Sequence, residues 1–171
     1  MNSELLLAKL PQITWWIDQT LVAHAVEARP VAEFGFKRLP GFFSTALLAH
    51  TKVVTLEHVP VPPLVAMGLP EFAGFEQGDY AGITYKDTYF LQNSQAPNES
   101  IHFHELVHVV QWGHLGVERF LLAYAAGLAA NGYRNSPLEA MAYTLQEYFD
   151  QNGKPGDVET AVKNKLSELY P

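Results

Sequence analysis

Apolar positions return at three- and four-residue intervals along much of the chain, the spacing of helices with one buried face. Over residues 3–29 the stripe is Ile13, Trp16, Ile17, Leu21 and Val22, with Ser3 as N-cap and Pro11 expected to split a first short turn from a longer segment. Packing is the simplest use of this stripe, and it outweighs reading His24 or the Trp15-Trp16 pair as a ligand site. Residues 30–41 end in the turn Leu39-Pro40-Gly41, and residues 42–49 suit a short helix.

The period then changes. Lys52 to Leu56 is β-branched enough for a strand. Val59 to Pro70 carries too many prolines for a helix or a central strand, so it reads as an extended connection that covers a sheet edge in preference to lining a cleft. Residues 71–80, with Gly74 and Gly78, read as loop. Gly82 to Tyr85 and Thr88 to Leu91 flank Lys86-Asp87, a β-hairpin whose turn lacks the favoured glycine.

Helical spacing resumes at residues 101–112, started by Pro97, Asn98 and Ser100 and carried by Leu106, Val107, Val109, Val110 and Trp112. Gly113 and Gly116 punctuate it, and Val117 to Ala130 follows as a strongly apolar helix closed by Asn131-Gly132. Ser136-Pro137 opens a helix running to about Asp150. Asp157 to Leu169 is a last amphipathic helix with Val158, Ala161, Val162, Leu166 and Leu169 on one face. The pattern predicts one α+β domain over residues 1–171, mainly helical with a small antiparallel hairpin. It comprises an N-terminal helical part (1–50), a core (about 50–150) and a C-terminal helix (157–169).

Composition narrows the chemistry. A net charge of −7 and a pI near 5.4 leave no basic stripe, which argues against nucleic acid or an anionic membrane as partner. The apolar run from Phe120 to Tyr133 falls short of the ~20 residues that span a bilayer. The first residues lack a basic leader, so the expected location is the cytoplasm, with export by a route without a cleaved signal left open. There is no cysteine, so any metal must be held by histidine and carboxylate.

Such a metal is suggested by His104-Glu105-Leu106-Val107-His108, a His-Glu-x-x-His sequence inside the predicted helix. Residues four apart share a helix face, so both imidazoles can reach one zinc ion while Glu105 stands beside it as base for a water the metal activates. Two positions compete for third ligand. His114 lies six residues beyond His108, as in metzincins, but that pattern needs a glycine where this chain has Gln111, and Met141 sits in a helix rather than a Met-turn. Glu139 lies on a separate helix, although Ser136-Pro137-Leu138-Glu139 is also a capping box. Small Ala140 and Ala142 would let that helix come close. Glu139 is the first choice, His114 the second, and Glu118, Glu147 or no third ligand complete the alternatives. Tyr133, Arg134, Tyr143 and His114 are candidate oxyanion donors, and Gln111 or Asn135 candidates to orient the histidines. His102 points away from the pair and reads as surface or core.

Three stretches together, Gly82-Ile83-Thr84 to Tyr89-Phe90, His104-Glu105-Leu106-Val107-His108-Val109-Val110-Gln111, and Tyr133 through Glu139 to Ala140, resemble a group of small bacterial metallopeptidase domains of gluzincin type. Some of these accompany phage-tail-like injection systems. The resemblance covers roughly residues 50–150 and has Ser136 where the family pattern has asparagine. It implies a zincin-like domain with the hairpin beside the His-Glu-x-x-His helix, His104, His108 and Glu139 as zinc ligands, and Glu105 as the catalytic carboxylate. The expected function is zinc-dependent hydrolysis of a peptide bond in a peptide or protein substrate. The alternative is a catalytically silent, zinc-stabilised module that binds another protein.

Overall fold

The structure is a computed structural model that describes residues 3–171. Its spine is helix α4, Glu99–Asn131, which bends at Gly116 (φ 73°, ψ 170°). Left-handed backbone there costs glycine little and other residues more. The rings of Trp112 and Phe120 stack at 3.9 Å, whereas residues eight apart on a straight helix are separated by about 12 Å along its axis. The bend therefore folds the second arm back against the first. Gly113, the other predicted break, is helical.

Around the spine lie α1 (Ser3–Ala23), α2 (Thr45–His50), the single turn α3 (Ala73–Glu76), α5 (Pro137–Asp150) and α6 (Val158–Leu169). Helix α1 runs through Pro11 and stops at Ala23, short of the expected residue 29. The carbonyl that loses its partner to proline belongs to Leu7, which is exposed, while Leu6, Leu10, Ile13 and Ile17 anchor the opposite face. Residues 71–80, expected as loop, include α3 and part of a 3₁₀ turn, Pro70–Phe72. Asp157 caps α6 by accepting from Thr160 N at 3.0 Å. Val158, Val162 and Leu166 are buried, while Ala161 and Leu169 fall outside that face.

The strands β1 (Arg29–Pro30), β2 (Lys52–Leu56), β3 (Gly82–Tyr85) and β4 (Thr88–Gln92) form one sheet in the order β1-β2-β4-β3. The expected hairpin is β3–β4, but the sheet is mixed rather than antiparallel, because β2 pairs in parallel with β4, Val53 opposite Tyr89 and Val54 opposite Phe90. Adjacent Val53 and Val54 are both buried, so both faces of β2 are covered and the strand belongs inside the sheet rather than outside it. In the hairpin turn Lys86 takes the left-handed conformation (φ 58°) and pairs with Asp18 of α1. The proline-rich connection lies by β3, where Tyr85 donates to the Pro60 carbonyl at 2.7 Å, and it also lines a cavity through Pro62, Leu64 and Leu69. The contact with β3 is made through that one side chain, without backbone pairing along the strand.

Tyr89, Phe90, Phe103, Leu106, Leu138, Phe149 and Leu166 fill the centre between sheet and helices. Among the described residues, no helix is long and apolar enough to cross a membrane. His102 belongs to this core. Its Nε2 donates to the Ala96 carbonyl at 2.9 Å, its Nδ1 accepts from Tyr89 Oη at 2.6 Å, and Phe34 and Phe36 cover the ring. Burial pushes its pKa from 6.5 down to about 4, against smaller upward pulls from the Ala96 hydrogen bond and Glu99. The unfolded chain then binds the proton that the folded one refuses, so stability should fall as pH drops from 6.5 towards 4, by up to about 3 kcal/mol. Urea unfolding at pH 7 and pH 4.5, with the His102 ring nitrogens followed by NMR, tests this. A ring that protonates near pH 6.5 in the folded protein would refute it.

Candidate metal centre

The first arm of α4 presents His104 and His108 one turn apart on one face, ring centroids 4.8 Å apart. Their Nε2 atoms face each other at 3.1 Å. Glu139, in the first turn of α5, closes a triangle, with Oε2 3.4 Å from His104 Nε2 and Oε1 3.5 Å from His108 Nε2. All three side chains are buried. They are the one group among the described residues whose histidine and carboxylate donors lie close enough together to hold a metal ion.

The spacing is compatible with a bound ion. Donors about 2.0–2.1 Å from a tetrahedral zinc lie about 3.3 Å from one another, and the edges here measure 3.1, 3.4 and 3.5 Å. The outward nitrogens agree. Gln111 Nε2 donates to the Leu138 carbonyl at 3.0 Å, so its Oε1 faces His108 Nδ1 at 2.7 Å and accepts from it. Gln146 does the same for His104, with Nε2 on Ser100 Oγ at 2.9 Å and Oε1 3.0 Å from Nδ1. Each neutral ring therefore carries its lone pair on the inward Nε2. Two lone pairs and a carboxylate converging in a buried space are unfavourable without a cation. Glu139 Oε2, buried and without a hydrogen bond, is the atom left over for one.

Electrostatics point the same way. Burial pushes the His108 imidazole down, but the Glu139 carboxylate outweighs it and lifts the ring to about 9. Burial likewise pushes Glu139 up, and His108 and His104 outweigh that and hold it well below the usual carboxylate range. The centre attracts positive charge, whether a proton or a divalent ion.

Glu105 stands beside the triangle without joining it. Thr84 Oγ1 donates to its Oε2 at 2.7 Å, and Trp112 Nε1 donates to the Thr84 carbonyl at 3.1 Å, so β3 and α4 are tied together at the acid. Position 82 has room only for glycine, since a Cβ there would overlap the Glu105 carboxylate. Burial raises the Glu105 pKa, against the downward pull of His104, His108 and Thr84. A carboxyl raised in this way is a better proton acceptor near neutral pH.

The capping role that competed for Glu139 is not used. The Ser136 side chain makes no cap hydrogen bond, and Glu139 turns inward. Ala142 is fully buried in α5, and the close approach of that helix also uses Gly127 of α4, where a Cβ would press on Ser136 Cβ at 2.9 Å and Pro137 Cδ at 3.0 Å. His114 is exposed, its Nε2 3.1 Å from Ser167 Oγ on α6, so it neither completes the triangle nor donates there. Glu118, Glu147 and Asn135 are exposed as well. Among the other candidates, the Tyr143 ring lies 4.6 Å from that of His104, exposed Arg134 stacks over Tyr143 at 4.7 Å, and the Tyr133 ring lies 5.1 Å from that of Tyr80. Burial, with Glu139 next, raises the Tyr133 and Tyr143 hydroxyls, so both stay protonated donors.

Sequence reasoning missed Thr84, Tyr80, Tyr124 and Gln146. Gln146 had a signal, since Glu139, Tyr143 and Gln146 follow at i, i+4 and i+7 on one helix face. Tyr124 had none in its apolar run, yet its hydroxyl donates to Glu139 Oε1 at 2.6 Å. Replacing Tyr124 by Phe should keep the fold and weaken zinc binding roughly ten- to a hundredfold, as for other groups that orient a ligand. Competition with a chromophoric chelator measures this, and unchanged affinity would remove Tyr124 from the site.

No family model, curated protein or solved structure matches the chain.

Proposed function

We propose that the protein is a zinc-dependent hydrolase of peptide bonds, of the gluzincin type that its motif resembles. The observation that carries this reading is the buried His104, His108 and Glu139 triangle with Glu105 adjacent but outside it. Two imidazoles and a carboxylate without thiolate are the donor set of catalytic rather than structural zinc, and three protein donors leave a coordination position open. A zinc ion bound there supplies Lewis acidity, polarising a carbonyl and lowering the pKa of water to about 7.

The chain's own residues do the rest. Gln111, Gln146 and Tyr124 hold the three donors in place. Glu105, kept in position by Thr84, accepts a proton from the attacking water and returns it to the leaving amine. Tyr133 and Tyr143 offer hydroxyls to the oxygen that gains charge. β3 is one of the sheet's two edge strands and carries Gly82 and Thr84 beside the acid; the Thr84 carbonyl is held by Trp112, so an extended peptide can pair with this strand only at its Gly82 end.

The silent-module reading is favoured by one feature, the depth of the site. His104, Glu105, His108 and Glu139 are each no more than 5% exposed. Incubating the zinc-loaded protein with a mixed peptide library and reading new termini by mass spectrometry separates the two. Cleavage that stops on chelation and returns with zinc supports the hydrolase, and a protein that holds one zinc per chain yet cuts nothing is the silent module.

A further inference from the structure

Of the chain's four arginines, three spend guanidinium N–H groups on oxygen atoms of the protein: Arg29 on Glu33 Oε2, Arg38 on the Phe149 carbonyl and Arg119 on the Tyr170 carbonyl. Arg134 does not. Among the described residues its guanidinium has no hydrogen-bond or ion-pair partner and rests only on the face of Tyr143. The two steps from guanidinium to Tyr143 ring and from there to His104 ring, 4.7 and 4.6 Å, put its carbon no more than 9.3 Å from the centre of the His104 imidazole. Tyr143 is half-buried and Arg134 exposed, so the free cation stands where the buried centre meets solvent. We propose that Arg134 binds the free C-terminal carboxylate of the substrate, so that the enzyme removes one or two residues from the end of a peptide. The proposal rests on the hydrolase reading and adds a substrate class to it.

Reach, chemistry and access select the ligand. An extended residue spans about 3.3–3.6 Å, so a carboxylate one or two residues beyond a bond held at the metal meets a guanidinium at that distance. The planar fork of arginine matches a carboxylate with two parallel hydrogen bonds. Stacking on Tyr143 holds the fork in place and leaves its N–H groups unused. The chain has 18 acidic residues against 11 basic ones, so Arg134 is not left alone for want of carboxylates in the protein. Access favours a chain end over a chain interior. The donors and Glu105 are each no more than 5% exposed, and Trp112 occupies the Thr84 carbonyl, which leaves little strand edge for a segment that continues past the cut. An acidic side chain carries the same group as a C-terminus, but on a backbone that has to pass this buried centre.

Two mixed peptide libraries given to the zinc-loaded full chain test this, alike except that one ends in free carboxylates and the other in carboxamides. The free acids should lose their last one or two residues, with kcat/KM at least about tenfold above the amides, the usual effect of losing charge-assisted hydrogen bonds. On the best-cut free acid, Arg134→Met, which keeps the aliphatic stem without the charge, should raise KM about tenfold or more and change kcat less. Arg134→Lys should recover part of the loss. An amidated peptide ending in glutamate should be cut no faster than one ending in glutamine. Equal cleavage of acids and amides, cuts in peptide interiors, or a preference for the amidated glutamate peptide overturns the proposal and leaves the hydrolase reading standing. So does an Arg134→Met chain that loses kcat equally on acid and amide, because the arginine then serves the oxygen that gains charge. A chain that holds one zinc and cuts nothing in either library overturns both. The acid-to-amide comparison on the wild-type chain decides the matter even if a variant folds poorly.

Discussion

Glu105→Gln should lower the rate of peptide cleavage by about 10²–10⁴-fold, the usual contribution of a positioned general base, while the protein still binds one zinc per chain. Glutamine fits the same space and still accepts from Thr84 Oγ1, which lies 2.7 Å from Oε2 in the native protein. What it loses is the ability to take a proton. Cleavage of a peptide identified from the library, measured beside metal content by atomic absorption, reads both quantities. Retention of more than about a tenth of the activity would mean that another group accepts the proton. Loss of zinc together with activity would mean that the acid is structural.

The second large effect is on stability. Without an ion, the triangle sets Glu139 Oε2 in a buried space with no hydrogen bond and turns two imidazole nitrogens towards it. A ligand that binds only the folded chain stabilises it by about 4 kcal/mol at a thousandfold excess over Kd. For a domain of this size that raises Tm by on the order of 10 °C. Differential scanning calorimetry of chelator-treated protein, with and without added zinc, should show the rise, and Glu139→Gln, which removes the negative charge, should remove it. A zinc-independent Tm would count against the metal centre and, with it, the proposed chemistry.

The elements of this fold were legible where periodicity and punctuation agree. The hairpin, the His104 helix, α5 and α6 were all readable, because alternation, caps and turn residues act locally. The parallel pairing of β2 with β4 was not, since a five-residue strand says nothing of its neighbour. Nor was the passage of α1 through Pro11, which depends on what the buried face of α1 packs against. In the site, residues on one helix were readable from spacing, as with His104, His108 and Gln111. Glu139 could be nominated but not separated from a helix cap, because the same short motif serves both purposes. Thr84 acts from β3 and Tyr124 from beyond the bend in α4, and only the packed structure brings them to Glu105 and Glu139.

One backbone angle governs more of this site than any single ligand. As an unbroken rod, the 33 residues of α4 would extend about 50 Å and carry Tyr124 far from His104. The reversal at Gly116 makes one helix both the floor of the centre and the clamp on its carboxylate. A side chain of any size at 116 would meet open space but strain the positive-φ backbone, loosening the bend while leaving every donor in the sequence intact, so a motif search alone would take such a chain for a competent one.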